Sequence, residues 1–333
     1  MELSTLTHPP LPEGPVLVTG GAGFIGHHLV RTFLAQGREV RVLDDLSTGQ
    51  VERLEPFLFP SAPAPARFDF RQGSVTDLEL CRELCEGVGV LFHEAAIPSV
   101  QRSVNFPMAS HHANATGTLT LLEAARQAGV RRFVYAGSSS AYGNTPELPK
   151  QEGMSSRPLS PYAVSKLAGE HYCQAYAHIH GMETVVLRYF NVFGPGQDPA
   201  SDYAAVIPRF VTLALAGEGP VIHGDGEQTR DFTHIDNVIR ANVLAATAPA
   251  ERVSGRVFNV GCGERISIRL LWDEIRTLTG CRAEARHVEA RPGDVRDSLA
   301  SLTAIREAMG FTPEVGLREG LERTVEWFRS GAV

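Results

Sequence analysis

From Pro15 to about residue 191 the chain repeats one pattern. A short, almost wholly apolar run is followed by a longer stretch whose apolar residues recur every three or four positions. The runs are "VLVTG" (16–20), "EVRVLDD" (39–45), one within "FDFRQGSVTD", "VGVLFHEAA" and "RRFVYAGSS", with a sixth in "TVVLRYFNVFG" and a seventh in "RVFNVGCG". Near-continuous apolar runs predict strands buried on both faces, as in a parallel sheet. Between them, "FIGHHLVRTFLAQG", "NATGTLTLLEAARQAG" and the stretch around "SPYAVSKLAGE" predict helices. Alternation at this spacing predicts an α/β fold: a Rossmann-type doubly wound parallel sheet wrapped on both faces.

Beyond residue 191 the pattern loosens, and Gly and Pro punctuate "FGPGQDP", "LAGEGPVIHGDGEQ" and "ARPGD". The reading is a nucleotide-binding domain over 15–190, with a returning segment around 231–262 that carries the seventh strand. A smaller α/β substrate-binding lobe over 191–333 is interleaved with it and closes over the carboxyl ends of the strands. "PSAPAPA" (60–66) predicts a surface loop.

Composition narrows the partners. The 333 residues are 43% hydrophobic and 21% charged, with a net charge of -7. Such a chain has no broad basic field for nucleic acid. Five cysteines without metal spacing predict neither a disulfide framework nor a metal site, and suit the cytoplasm. "MELSTLTHPPLPEG" lacks the charged start and apolar run of a signal peptide, and no apolar stretch approaches the ~20 residues of a membrane span.

Candidate chemistry begins at "VTGGAGFIG", which sets Gly20, Gly23 and Gly26 between the first strand and the first helix. In that context the first glycine permits the turn, the second admits a diphosphate to the backbone, and the third lets helix and strand pack. The helix N-terminus offers N–H groups and a partial positive charge to phosphate. Asp44, 18 residues after Gly26, suits the two hydroxyls of an adenosine ribose and repels a 2′-phosphate. NAD is therefore the expected cofactor. Asp45 suits a strand-end turn.

"SPYAVSKLAGE" places Tyr162 and Lys166 one helical turn apart on one face. A phenol with a pKa of ~10 is a poor base at neutral pH, but a cation within ~4–6 Å lowers it by ~1–3 units. The expectation is that Lys166 makes Tyr162 acidic enough to take and return a proton.

These residues, with "TGGAGFIG", resemble the extended short-chain dehydrogenase/reductase family. The resemblance covers residues 15–333. It implies that Tyr162, Lys166 and a serine act together, with Asn114 supporting the lysine. The serine is Ser138, four before Tyr142, or its neighbour Ser139. The resemblance also lines the cofactor with Phe24, Ile25, Leu46, Ser74, Val75, Ala95, Ala96 and Tyr189, although Ser74 stands where an Asp often meets adenine. The dehydratases of the family carry Asp-Glu where this chain has Ser139 and Ser140, which speaks against elimination.

The second lobe resembles that of UDP-hexose 4-epimerases. The resemblance implies that Tyr189 and Phe190 flank the nicotinamide and that Asn191 bonds the diphosphate. Ala205, Val206 and Ile207 would meet the uracil, and His223 would stack on it. Arg230 and Arg291 would clamp the diphosphate, and Asp294 would bond the ribose. Pro98 replaces a Lys found in some relatives, leaving Ser99 and Ser103 as sugar contacts. Ser298 stands where galactose-type bacterial enzymes carry a bulky Tyr, leaving room for a 2-acetamido group. The implied activity is NAD-dependent 4-epimerisation of UDP-N-acetylglucosamine and UDP-N-acetylgalactosamine, with UDP-glucose and UDP-galactose as further substrates, through a transient 4-keto sugar. UDP-glucose or UDP-glucuronate 4-epimerase are the alternatives, ahead of a decarboxylase or reductase. Members often dimerise through the tyrosine helix, so a homodimer serving surface-polysaccharide synthesis is expected.

Overall fold

A computed structural model describes residues 10–59, 67–199, 205–290 and 295–331. Its centre is a seven-stranded, wholly parallel sheet. The strands are β1 (Val16–Thr19), β2 (Val40–Asp44), β3 (Phe68–Gln72), β4 (Val90–His93), β5 (Arg132–Ser138), β6 (Glu183–Tyr189) and β7 (Arg256–Val260). They lie in the order β7-β6-β5-β4-β1-β2-β3. The order reverses between β1 and β4, and open α/β sheets bind ligands at such a crevice.

Side chains alternate along the strands, and each face meets its own helices. Val16 and Val18 point into one apolar cluster with α1 (Phe24–Ala35), α6 (Ile235–Thr247) and α8 (Thr303–Met309). Leu17 points into the other, with α2 (Leu78–Cys85), α3 (Gly117–Gln127) and Cys173 of α4 (Pro161–His180). The expected doubly wound sheet is thus present.

A third cluster joins α5 (Val206–Leu215), α7 (Ile268–Thr279) and α9 (Leu317–Ser330) around Phe210, Trp272 and Leu321. Three two-stranded sheets surround it: Val192–Phe193 with Thr233–His234, Thr229–Arg230 with Ile266–Ser267, and Val221–His223 with Arg286–Val288. The interleaving reaches further than 231–262, because Ile305, Met309 and Phe311 pack into the main-sheet core. The segment 60–66 lies outside the described residues. No described helix is long and apolar enough to cross a membrane.

Candidate active site

The carboxyl ends of six strands, β1 to β6, assemble the site. Gly20 follows β1 in a left-handed conformation (φ +71°), and its backbone runs against Ala95 beyond β4. A Cβ at Gly26 would collide with the Gly20 carbonyl oxygen, so this crossing of loop and helix requires glycine. Gly23 is the N-cap of α1, which has neither a side-chain cap nor an acidic residue in its first turn. Phe24 and Ile25 open that turn, with side chains packed on the core. The bare N–H groups therefore suit a diphosphate.

The groove beside this loop spans about 530 Å³, counting the solvent open to it. Gly20, Gly23, Asp44, Ser74, Val75, Glu94, Ala95 and Ala96 line it. At one end Asp44 accepts from Ala22 N (2.9 Å) and Leu46 N (2.8 Å), fastening the glycine loop to the end of β2. Burial pushes its carboxyl above the usual range, against those two bonds. Leu46 itself takes a positive φ of 59° to complete the turn. Asp45 is exposed and accepts from Ser47 N, as expected of a turn residue. Ser74 bonds Thr76 Oγ1 at 2.8 Å. An uncapped helix end, a glycine crossing and a groove closed by a carboxylate fit a dinucleotide.

The tyrosine and lysine belong to α4. Ser160 caps α4 by accepting from Ala163 N (3.1 Å), and Pro161 begins the helix. Ser138 ends β5, and its hydroxyl acts to lower the pKa of the Tyr162 phenol. Ser138 also bonds Ser140 Oγ at 2.8 Å, while Ser139 opens the short 3-10 turn Ser139–Tyr142.

Several influences act on the Tyr162 phenol, and burial is the largest. Burial raises the phenol above its ordinary value and the charge of Glu94 adds to the rise, against the Ser138 hydroxyl. The Lys166 ammonium rests on the ring of Tyr135, 4.5 Å from its centroid. Burial lowers its pKa, and Glu94 opposes that fall.

Asn114 reaches Lys166 only through a neighbour. Its amide donates to Ser165 Oγ (3.1 Å) and Ile97 O (3.2 Å), and its oxygen accepts from Ile97 N (2.8 Å). Ser103 is also corrected as a sugar contact. It is fully buried, donates to Val100 O (2.6 Å) and accepts from Tyr162 N (3.0 Å), so it lies beneath the tyrosine helix. Ser99 caps the helix Val100–Asn105 by accepting from Arg102 N, at a φ of 86°.

Tyr189 ends β6 with its hydroxyl donating to Glu94 Oε1 (2.8 Å) and 2.9 Å from Asn242 Nδ2. Phe190 does not line the groove; it is fully buried against the Tyr142 ring. Asn191 donates to Asp231 O (3.0 Å). In the lobe, Ala205 is the extended N-cap residue of α5, with Val206 and Ile207 in its first turn. His223 is half-buried, its ring 3.3 Å from Glu289 O. Arg230 donates to Thr229 O (2.9 Å), and Ser298 N donates to the same carbonyl (3.2 Å), so these two expected residues are neighbours. Arg291 and Asp294 lie outside the described residues.

Sequence reasoning missed Glu94, His93 and Arg53. His93 forms a relay: Thr19 Oγ1 is 2.8 Å from Nδ1, Nε2 is 2.9 Å from Thr118 Oγ1, and Thr118 donates to Asn114 O. Since Thr118 gives its proton to Asn114, it accepts from Nε2–H, and the ring is neutral; burial drives its pKa down to about 3. Arg53 joins Ala22 O (3.2 Å) to Gly196 O (2.7 Å), clasping the "FGPGQDP" loop to the glycine loop. The only local signal for Glu94 was an acidic residue directly after an apolar strand.

Comparison with known proteins fits this geometry. The chain is 42% identical to a UDP-glucose 4-epimerase of Mycolicibacterium smegmatis, over 94% of this chain and 98% of that one. It resembles a UDP-glucose 4-epimerase of Thermotoga maritima solved with UDP-glucose (TM-score 0.88, 37% identity, 95% and 99% covered). It is as similar to a UDP-N-acetylglucosamine 4-epimerase of Methanobrevibacter ruminantium in complex with UDP-N-acetylmuramic acid (TM-score 0.88, 35% identity, 96% and 100% covered). Residues 16–261 match the family described as NAD dependent epimerase/dehydratase, and the chain belongs to that family.

Proposed function

We propose that this protein interconverts the 4-epimers of UDP-sugars. The observation that carries the reading is a groove lined by the glycine loop, Asp44 and Glu94, with the Glu94 carboxylate bonded to Tyr189 at the end of β6 and Tyr162 and Lys166 one turn apart on α4. Gly20, Gly23, the first turn of α1, Asp44 and Tyr189 would hold NAD. When bound, the dinucleotide supplies a hydride acceptor that is also a positive charge in the groove. Tyr162 takes the proton of the sugar 4-hydroxyl, relayed by Ser138, and later returns it. Lys166 supplies a fixed cation on the same helix face, and the relay through His93 and Asn114 keeps that face in place. The flat 4-keto sugar presents its second face by turning about its phosphate link, while Arg230, with Arg291, holds the nucleotide.

Elimination is disfavoured, because the positions after Ser138 are hydroxyls: Ser140 is bound to Ser138 and Ser139 carries no charge. The preferred substrate is UDP-N-acetylglucosamine, since Ser298, next to Arg230, is small. The test is a side-by-side assay of UDP-glucose, UDP-galactose, UDP-N-acetylglucosamine and UDP-glucuronate. Exchange of gluco and galacto forms without accumulating NADH is expected; dehydrated or decarboxylated products overturn the reading. Ser298→Tyr should slow the acetylated sugar at least tenfold more than the plain one. Equal loss on both removes the specificity assignment.

A homodimer is part of the same proposal. Val104, Phe106, Met108, Val164, Tyr172 and Ile179 are exposed on α4 and on the two short helices beside it, Val100–Asn105 and Pro107–His111. Exposed apolar residues gathered on three packed helices support an interface there. Light scattering should give twice the chain mass; a monomer at micromolar concentration contradicts it.

A further inference from the structure

Arg230 ends a two-residue strand, and Ser298 lies in a segment that belongs to no helix. Side chains on such short elements are only as fixed as the contacts that hold their backbone. Asp231, the residue after Arg230, supplies those contacts, and its side chain is fully buried. Its Oδ1 accepts from Cys262 N (2.8 Å), and its Oδ2 accepts from both Gly263 N and Ala300 N (3.0 Å each). Its backbone carbonyl accepts from the Asn191 side-chain amide (3.0 Å).

One residue thus joins four stretches of chain. Cys262 and Gly263 follow β7, and Asn191 lies two residues beyond β6, so both references belong to the main sheet. Ala300 closes the segment that carries Ser298, and Arg230 is the neighbour of Asp231 in the lobe strand. Further bonds hold the same junction. Ser298 N donates to Thr229 O (3.2 Å), and Thr229 Oγ1 donates to Asp297 Oδ1 (2.5 Å). From the other side, Lys150 N donates to Leu299 O (2.7 Å), and Ser301 N donates to Lys150 O (2.9 Å). A Cβ on Gly261 would lie 2.8 Å from Asp231 Oδ2, so the chain after β7 passes close over the carboxylate. Charge-assisted bonds of this kind are stronger than neutral ones, which suits a carboxylate holding three backbone segments at once.

We propose that Asp231 is a positioning residue that holds Arg230 and Ser298 in place for the UDP-sugar, by locking the lobe strand, the turn after β7 and the segment 298–300 into one frame. The inference rests on the reading that Arg230 holds the nucleotide and Ser298 borders the sugar. Asp231→Asn is almost the same size, but its amide nitrogen can only donate. Whichever way that amide turns, at least one backbone N–H loses its acceptor and faces another donor, and the frame opens.

The experiment is calorimetric titration of UDP into the purified protein with the dinucleotide it carries. A melting curve confirms that each variant is folded, and ultraviolet absorption gives its NAD content. Asp231→Asn should bind UDP about tenfold more weakly. Its NAD content should be unchanged, and KM for the UDP-sugar should rise more than kcat falls. A carboxylate that served stability alone would lower the melting temperature and leave the UDP affinity of the folded protein unmoved; that result overturns the proposal. Arg230→Ala completes a cycle. Because Asp231 acts on UDP through Arg230, adding Asp231→Asn to Arg230→Ala should weaken UDP binding no further. Full additivity overturns the proposal. Thr229→Val carries the test if Asp231→Asn does not fold. It strips only the hydroxyl bond to Asp297 at the same junction, so UDP binding should weaken by about threefold, and an unchanged affinity overturns the proposal. Normal UDP binding by Arg230→Ala refutes the assignment of Arg230 and the proposal with it. Weak binding by Arg230→Ala beside normal binding by Asp231→Asn refutes the role of Asp231 alone.

Discussion

Arg188 grips Glu170 through two charge-assisted hydrogen bonds, Nε to Oε2 at 2.9 Å and Nη2 to Oε1 at 2.6 Å, with both side chains 3% exposed. Glu170 lies one turn beyond Lys166 on α4, and Arg188 immediately precedes Tyr189 on β6. The pair therefore sets the rotation of the tyrosine helix against the strand that carries Tyr189. The Arg188 guanidinium also lies over the Tyr142 ring, 4.6 Å from its centroid. Glu170→Ala leaves a buried guanidinium without its carboxylate. Such a loss costs about 3–5 kcal/mol. Urea unfolding should show that loss, and a change under about 1 kcal/mol would mean the pair behaves as a surface pair.

Ser103→Ala tests the reassignment of that serine from sugar contact to support. The variant leaves Tyr162 N without the side-chain acceptor it has here, a penalty of about 1–3 kcal/mol. Tyr162 then loses part of its fixed orientation. Steady-state kinetics should show a several-fold lower kcat with KM for the UDP-sugar nearly unchanged. A raised KM at unchanged kcat would return Ser103 to the substrate.

Stability should depend on pH below neutrality. His28 is 5% exposed, with Nε2 3.0 Å from Pro195 O and Nδ1 3.2 Å from Arg31 Nη2. Arg31 can only donate, so Nδ1 accepts and Nε2–H donates to Pro195; the ring is neutral. Burial lowers its pKa to about 4, and that of His93 to about 3. Both folded values lie below the unfolded 6.5, so the unfolded chain binds more protons between those limits. The histidine contribution to stability is then full above pH 6.5 and falls progressively toward pH 4. Burial acts the other way on two carboxyls, raising Glu94 to about 7 and Asp231 to about 6, so their contribution rises as pH falls in the same range. The histidine contribution is therefore read as the difference between the wild type and His28→Gln in thermal melting, which should shrink from pH 6.5 toward pH 4; a difference that does not change with pH contradicts a buried neutral ring.

The main sheet was legible because its inner strands are buried on both faces and read as mostly apolar runs, whereas the edge strand β3 is half-exposed and mixed in sequence. The glycine loop was legible because its spacing is local and its context, strand then helix, is local too. What escaped depends on contacts distant in sequence. Ser103 and Tyr162 are 59 residues apart, and Glu94 and Tyr189 are 95 apart. The helical spacing of Tyr162 and Lys166 correctly gave a shared face. It did not reveal that Tyr135, on the neighbouring strand, offers the ammonium an aromatic ring. Nor did the spacing of Phe190 after Tyr189 distinguish a groove wall from a core residue, because the chain leaves the sheet between them.

The central claim is that hydrogen leaves sugar carbon 4 and returns to it within one closed site, while Tyr162 handles the proton. It is tested most directly with a UDP-sugar bearing deuterium on that carbon, followed by nuclear magnetic resonance with the wild-type protein and with Tyr162→Phe. The account predicts that the wild type yields the 4-epimer with deuterium retained at carbon 4, and that Tyr162→Phe keeps its bound NAD but is slower by at least three orders of magnitude, within the ~10²–10⁴ that acid–base catalysis contributes. Washout of the label into water, or a near-normal rate in Tyr162→Phe, would contradict it.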